Sequence, residues 1–312
     1  MKVVILGKGE MLFNLIEGSL DANCEVVGVL RYERINLPKW KLKLKDFFNA
    51  SNDYTIIKQN KLHEIKVNSA NSDKFKNEIL RLNADVILVG TWGEKIKKEI
   101  IDLPRIASVN VHPSFLPNYR GPNPYLQTIL HGEAKSGLTF HLMDENFDSG
   151  AILAQKQIDI LPNDTSKELK SRTVYQARLM CAELLKKLEY GLLIPIKQKD
   201  GSYYSNITDN DKMLDFNLES AEQIHRRIRA LHPWLPTYVT YRDKFFIPNP
   251  YRLKIISSKS DKNAGEIVDT DYKNFSITVQ CKENKALKMD GVKLYGFFNR
   301  PFTQLFIKNI KI

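Results

Sequence analysis

The chain has 312 residues, 43% of them hydrophobic and 27% charged, which is enough apolar material for more than one core. No apolar run approaches the roughly 18 residues of a membrane-spanning helix, which tells against a membrane span. Its three cysteines, Cys24, Cys181 and Cys281, are far apart, which excludes a disulfide framework or a metal spacing and suits a reducing cytoplasm.

In chain order, Val3 to Leu6 reads as a first buried strand rather than a signal peptide. A turn at Gly7 and Gly9 leads into a helix reaching about Leu20. This G-K-G lacks the third glycine of a dinucleotide fingerprint and an acidic ribose ligand further on, so it reads as a tight strand-to-helix turn. Strands are expected at Cys24 to Leu30, Tyr54 to Ile57, Asp85 to Val89 and Ala107 to Val111, with a helix from Ser72 to Leu82. Tyr125 to His131 reads as helical, Gly137 to Met143 as extended and Ser166 to Tyr190 as a long amphipathic helix. Strands alternating with helices predict a doubly wound, mostly parallel α/β sheet over residues 1–193. A linker is expected at 194–205. From 206 to 312 the pattern changes. Ser220 to Leu231 is a helix with a Ser cap and Gln223 three residues on. Short β-rich segments follow at Thr237 to Tyr241, Lys244 to Ile247, Arg252 to Ile256, Glu266 to Val268, Phe275 to Gln280 and Ala286 to Lys288. They predict a smaller β-barrel domain.

The chemistry is concentrated between Ala107 and Gln155. Asn110 and His112 are two apart, so on a strand end both side chains point to one side, and Pro113 stops the strand behind them. Asp148 follows, before Ser149 and Gly150. An amide, an imidazole and a carboxylate suit acyl transfer to an amine: donors stabilise the oxygen that gains negative charge, and the carboxylate and imidazole help to move a proton. No Ser or Cys nucleophile stands beside a base.

Several fixed spacings occur together: N-x-H-P-S-x-L-P from Asn110 to Pro117, Y-R-G from Tyr119 to Gly121, S-G-x-T from Ser136 to Thr139 and M-D-x-x-x-D-S-G from Met143 to Gly150. The segment resembles the folate-dependent formyltransferases, in particular the methionyl-tRNA formyltransferase branch. The C-terminal part is similar to that branch's open-barrel (OB-like) domain through Asp215 and Phe216, Ile228 to Ala230, and Pro233 with Trp234.

The resemblance implies formyl transfer from 10-formyltetrahydrofolate to a primary amine, with Asn110, His112 and Asp148 as the catalytic trio. It implies that Gly90, Thr91, Trp92 and Gly93 bind the pterin through backbone groups. Ser114 and Arg120 are candidates for meeting the acceptor. Lys39, Lys41 and Lys43, in an alternating KWKLKLKDFF that would show a cationic face if extended, are candidates for contact with an initiator tRNA in the basic loop that the resemblance implies, with a half-buried strand or hairpin as the equal alternative. The net charge of +11 agrees with phosphate contacts. The stretch Gly7 to Met11 and the residues Pro122, Asn123, Pro124 and Tyr125 depart from the tRNA branch, so a nucleotide-linked amino sugar remains the alternative acceptor. A noncatalytic tRNA-binding protein is the alternative of another class. His131 and His141 read as structural, and no metal spacing is present.

Overall fold

The computed structural model describes residues 1–48, 51–241, 244–271 and 273–294. It contains two compact units. One comprises Met1–Pro124, Ser136–Asp159 and Lys170–Tyr204, and the other Tyr125–Lys135, Ile160–Leu169 and the chain from Ser205 on.

The first unit is built on a six-stranded sheet. Its elements run β1 (Lys2–Gly7), α1 (Gly9–Asp21), β2 (Glu25–Arg31), α2 (Tyr32–Asn36), α3 (Lys39–Phe47), α4 (Asn52–Gln59), α5 (Asp73–Leu82), β3 (Val86–Gly90), α6 (Lys98–Ile101) and β4 (Ala107–His112). Next come β5 (Lys135–Leu142), β6 (Ile152–Asp159) and most of α8 (Ser166–Glu189), while α7 (Pro124–Leu130), which precedes β5 in the chain, belongs to the second unit from Tyr125 on. The strand order is β2-β1-β3-β4-β5-β6. β1 is parallel to β2 and β3, β3 is parallel to β4, and β5 runs antiparallel to β4.

Alternation along the strands splits the core into two faces. Val3, Ile5, Val109 and Val111 pack with Leu15 and Ile16 of α1 and Cys181 and Leu185 of α8. Val4, Leu6, Ile87 and Val89 pack on the opposite face with Phe75 and Ile79 of α5. Because Val109 and Val111 belong to the first face, Asn110 and His112 turn to the other. Strand β6, which the sequence pattern did not reveal, borders β5.

Two expectations are corrected. Tyr54 to Ile57 is helical, within α4, because Ile56 and Ile57 together bury one face against the core that holds α1. Lys39 to Phe47 is also a helix, α3, and not an extended segment. Its centre is pinned by buried Leu42, and Asp46 reaches the fully buried Arg31 at the end of β2 with bonds of 2.7 and 2.8 Å. Arg31 also donates to Glu64 at 2.7 Å and lies 4.9 Å from the Tyr54 ring centre. Burial works against its charge, but these carboxylates outweigh it and raise its pKa.

In the second unit, α9 (Ala221–Leu231) begins at a reciprocal cap: Gln223 N–H donates to Ser220 Oγ at 3.2 Å and Ser220 N–H to Gln223 Oε1 at 2.8 Å. Then follow β7 (Val239–Tyr241), β8 (Lys244–Ile247), β9 (Leu253–Ser257), β10 (Ile267–Asp271), β11 (Ser276–Gln280), β12 (Lys285–Met289) and β13 (Lys293–Leu294). They form a four-stranded antiparallel sheet, β10-β11-β12-β9, and a three-stranded one, β13-β8-β7. Ile224 and Ile228 of α9 pack on Val279 and Leu287 in this core.

Candidate active site

The end of β4 and the loop between β5 and β6 converge on one cluster. The antiparallel register sets Asn110 opposite His141 and His112 opposite Thr139. Leu142 N–H donates to Ala151 O at 2.8 Å and closes the β5–β6 loop. Gly150 is required there, since a Cβ at this position would lie 1.9 Å from Leu142 O. The loop turns Asp148 inward with φ of +57°, a left-handed conformation that Asp tolerates better than most residues.

Asp148 is the centre of the polar contacts. Its Oδ1 accepts from Asn110 Nδ2 at 3.2 Å and lies 3.3 Å from His112 Nδ1. Its Oδ2 accepts from the backbone N–H of Gly121 at 3.0 Å. Gly121 has φ of +93°, and a Cβ there would lie 2.4 Å from Tyr204 O. His112 Nε2 is 2.8 Å from the carbonyl of Tyr119. His141 Nε2 is 3.0 Å from Asn110 Nδ2, and its Nδ1 is 2.8 Å from Leu142 O. The structure therefore brings Asn110, His112 and Asp148 together and adds His141.

The electrostatics follow from burial. Burial pushes the His112 imidazole below its ordinary pKa, although Asp148 and the Tyr119 carbonyl both favour the cation. Burial alone would raise the Asp148 carboxyl, but contacts from His141, His112 and the Gly121 N–H outweigh it and hold the group below its ordinary value. The resulting state is a carboxylate beside a neutral ring. Nε2 of that ring and its Nδ1 both face acceptors, so one contact lacks a proton. Protonation of His112 would turn both contacts into hydrogen bonds.

The other sequence candidates divide. Gly90 to Gly93 follow β3 directly, and Gly90 pairs with Val111 of β4, so this turn borders the cluster. Thr91 has φ of +58° and is exposed, and Gly93 lies against Tyr32. Trp92 meets Tyr32 edge-on at 5.0 Å, and its buried indole N–H has no partner among the described residues. Ser114, expected to meet the acceptor, is fully buried and donates to Asn118 O at 2.8 Å, so its hydroxyl is used within the loop. Arg120 donates to Gln198 Oε1 at 2.8 Å and to Lys199 O at 3.1 Å, and so ties the Y-R-G turn to the following chain. Lys39, Lys41 and Lys43 are exposed on α3, beside edge strand β2 and three strands away from β4.

Sequence reasoning missed Gln198 and His141. Gln198 Nε2 donates to Asp148 O at 3.0 Å and Gly150 O at 2.7 Å, so part of the stretch expected as a linker braces the catalytic loop. No local motif points to it. His141 was findable only from the β4–β5 register. A cavity of about 670 Å³ lined by Tyr54, Lys58, Lys61, Lys66, Lys74 and Glu78 lies along α4 and α5, and includes none of the candidates.

Comparison with known proteins agrees with this layout. Residues 1–184 match the formyl transferase family and 206–296 its C-terminal domain. The chain is 30% identical over 281 residues to a methionyl-tRNA formyltransferase of Clostridioides difficile, covering 89% of this chain and 88% of the relative. It is 29% identical over 302 residues to the same-named protein of Ehrlichia ruminantium, covering 95% and 93%. The solved N-formyltransferase of Helicobacter canadensis, in complex with folinic acid and dTDP-3-aminofucose, superposes with a TM-score of 0.67 at 18% identity, over 95% of this chain and all (100%) of that one. A sugar 3N-formyl transferase, solved in the presence of dTDP and 5-N-formyl-THF, gives 0.64 at 18% identity, with 96% and 99% covered. At such identities these two structures speak for the fold, while the family match spans more than half of the chain: it belongs to the formyl transferase family and is an enzyme of that family.

Proposed function

We propose that this enzyme transfers the formyl group of 10-formyltetrahydrofolate to the amine of initiator methionyl-tRNA in the cytoplasm. The observation that carries the chemistry is the buried convergence of Asn110, His112 and Asp148 at the end of β4. The folate supplies an activated formyl group on nitrogen. The turn Gly90 to Gly93 suits its pterin edge, because the exposed residue Thr91 brings backbone polar groups next to β4.

The attacking amine nitrogen bonds to the formyl carbon, and the bond from that carbon to the folate nitrogen breaks. One proton must leave the amine and one must reach the leaving nitrogen. The Asp148–His112 pair carries it: a neutral His112 beside an ionised Asp148 takes up the proton and so completes the second of its two hydrogen bonds. Gly121 N–H holds Asp148 in place through Oδ2, and Gln198 holds the loop behind it.

For the acceptor, support comes from the named relatives and from charge. Lys39, Lys41 and Lys43 project from α3, and Lys58, Lys61, Lys66 and Lys74 line the neighbouring cavity. None of these seven has a carboxylate partner among the described residues, which suits a phosphate backbone. The departures at Gly7 to Met11 and Pro122 to Tyr125 favour a second reading, a nucleotide-linked amino sugar. Labelled formyl transfer to initiator methionyl-tRNA and to a panel of such sugars, with a water control, decides between them. Label on the tRNA supports the first reading, and label on a sugar alone replaces it with the second.

A further inference from the structure

We propose that Gln198 is a positioning residue for the Asp148–His112 pair, its carboxamide joining the Y-R-G turn to the Asp148 loop so that the pair keeps its spacing. The inference rests on the formyl-transfer reading and deepens it.

The pair is held from one turn. The carbonyl of Tyr119 faces His112 Nε2 at 2.8 Å, and two residues on the N–H of Gly121 donates to Asp148 Oδ2 at 3.0 Å. Against burial, which would raise the Asp148 carboxyl, that N–H joins His141 and His112 in holding it below its ordinary value. The turn belongs to no helix or strand, and Tyr119 and Gly121 have φ of +59° and +93°. A segment of this kind keeps its shape only through what packs on it.

What packs on it is the chain around Gln198, which is pinned at both ends. Ile196 exchanges two backbone hydrogen bonds of 2.8 Å with Ile152 of β6. Further on, Arg120 N–H donates to Ser202 O at 2.9 Å and Tyr204 N–H to Arg120 O at 3.0 Å. Tyr119 N–H donates to Ser202 Oγ at 2.9 Å, and the Tyr119 and Tyr204 rings stack at 5.1 Å. Gln198 lies between these pins, half-buried. Its Nε2 donates to Asp148 O at 3.0 Å and Gly150 O at 2.7 Å, and its Oε1 accepts from Arg120 Nη2 at 2.8 Å and Nε at 3.3 Å. The two carbonyls only accept and the guanidinium only donates, so the way the carboxamide faces is fixed and its whole hydrogen-bonding capacity is used. A carboxylate here would set oxygen against two carbonyls, and an apolar chain would leave turn and loop unjoined.

Gln198 bonds to the backbone of Asp148, so it acts on proton transfer through Asp148. Asp148 Oδ1 lies 3.3 Å from His112 Nδ1, at the long end of hydrogen-bond reach, so a small slip of the loop against the turn breaks this contact.

The test is a double-mutant cycle on the full chain, with the acceptor that takes the label. Single-turnover rates and donor KM are measured for the parent, Gln198→Met, Asp148→Asn and the double variant. Gln198→Met is expected to lower the rate at least about tenfold with donor KM unchanged within about threefold. In the Asp148→Asn background the same change is expected to cost less than about twofold, because the carboxylate that it positions is gone. Gln198→Glu, which keeps the length and the bond to Arg120 but turns oxygen toward the two carbonyls, is expected to be as slow as the methionine variant. Equal losses in the two backgrounds, a glutamate variant as fast as the parent, or a donor KM that carries the whole effect overturns the inference while leaving formyl transfer intact. A parent chain that formylates no amine overturns both readings. Should the methionine variant fail to fold, Gln198→Glu takes its place in the cycle.

Discussion

The cluster around Asp148 and the helix α3 lie in the same unit and hold their polar groups in opposite ways. Around Asp148 the side-chain nitrogens and carboxylate oxygens face partners inside the protein, and three of four side chains are buried. On α3, Lys39, Lys41 and Lys43 stand in solvent beside Trp40 and Phe47, which are 63% and 79% exposed. The first arrangement fixes atoms to within tenths of an ångström, as bond-making needs. The second fixes only a sign of charge over an area, which is what attraction to a phosphate backbone needs. Arg31 anchors the charged helix to β2, the edge strand of the sheet that carries the cluster.

Cutting that anchor is expected to have the largest effect. Arg31→Met leaves the carboxylates of Asp46 and Glu64 without their buried partner, and a loss of about 3–5 kcal/mol in stability is expected. Denaturant unfolding measures it, and a loss under about 1 kcal/mol refutes the anchor. Next in size is Asp148→Asn, which keeps shape and removes the charge. Turnover should fall at least about 100-fold, with some loss of melting temperature because the depressed pKa of Asp148 means that its charge stabilises the fold, and tRNA binding, if α3 carries it, should not change.

Acid separates the two regions without a mutation. The His112 pKa is depressed below its ordinary 6.5, so the unfolded chain binds a proton there before the folded one does. The stability held by the neutral ring is present above that value and lost as pH falls below it. Asp148, depressed below 3.8, acts with the same sign at lower pH. Stability is therefore expected to decline from about pH 6.5 downward and turnover only at lower pH, where the folded His112 takes up its proton, while tRNA binding, if the lysines carry it, stays level. A parallel fall of affinity and turnover would refute the separation.

The sequence revealed the two regions unequally, for a physical reason. Asn110, His112 and Asp148 stand at fixed spacings around a strand end and a turn, and each of those is a local structure with a local signal. The cap of α9, Ser220 with Gln223, was legible on the same ground. His141 was not, since its role depends on which residue of β4 lies across from it, and Gln198 acts from about fifty positions away. In α3 the alternation of Lys with Trp40, Leu42 and Leu44 imitates a strand, but Lys and Leu are good helix formers. Only Leu42 is buried, and the helix is held by Asp46 on Arg31 and by Lys45 on Glu33 at 2.9 Å. No periodicity reports a tether of that kind.

The smallest expected effect is the one that bears most directly on the acceptor. Replacing Lys39, Lys41 and Lys43 together by Gln removes three charges from a surface that does not touch the cluster. If phosphates lie there, affinity for initiator tRNA should fall about tenfold at moderate salt. The slope of log affinity against log salt should flatten by about 2–3, close to one for each phosphate that is no longer neutralised. Turnover with a small amine should not change, because β2, β1 and β3 separate α3 from Asn110 in bonding order. An unchanged slope would mean that these lysines are only a solvated face. The exposed aromatics between them would then need another partner, and the tRNA reading would rest on the relatives alone.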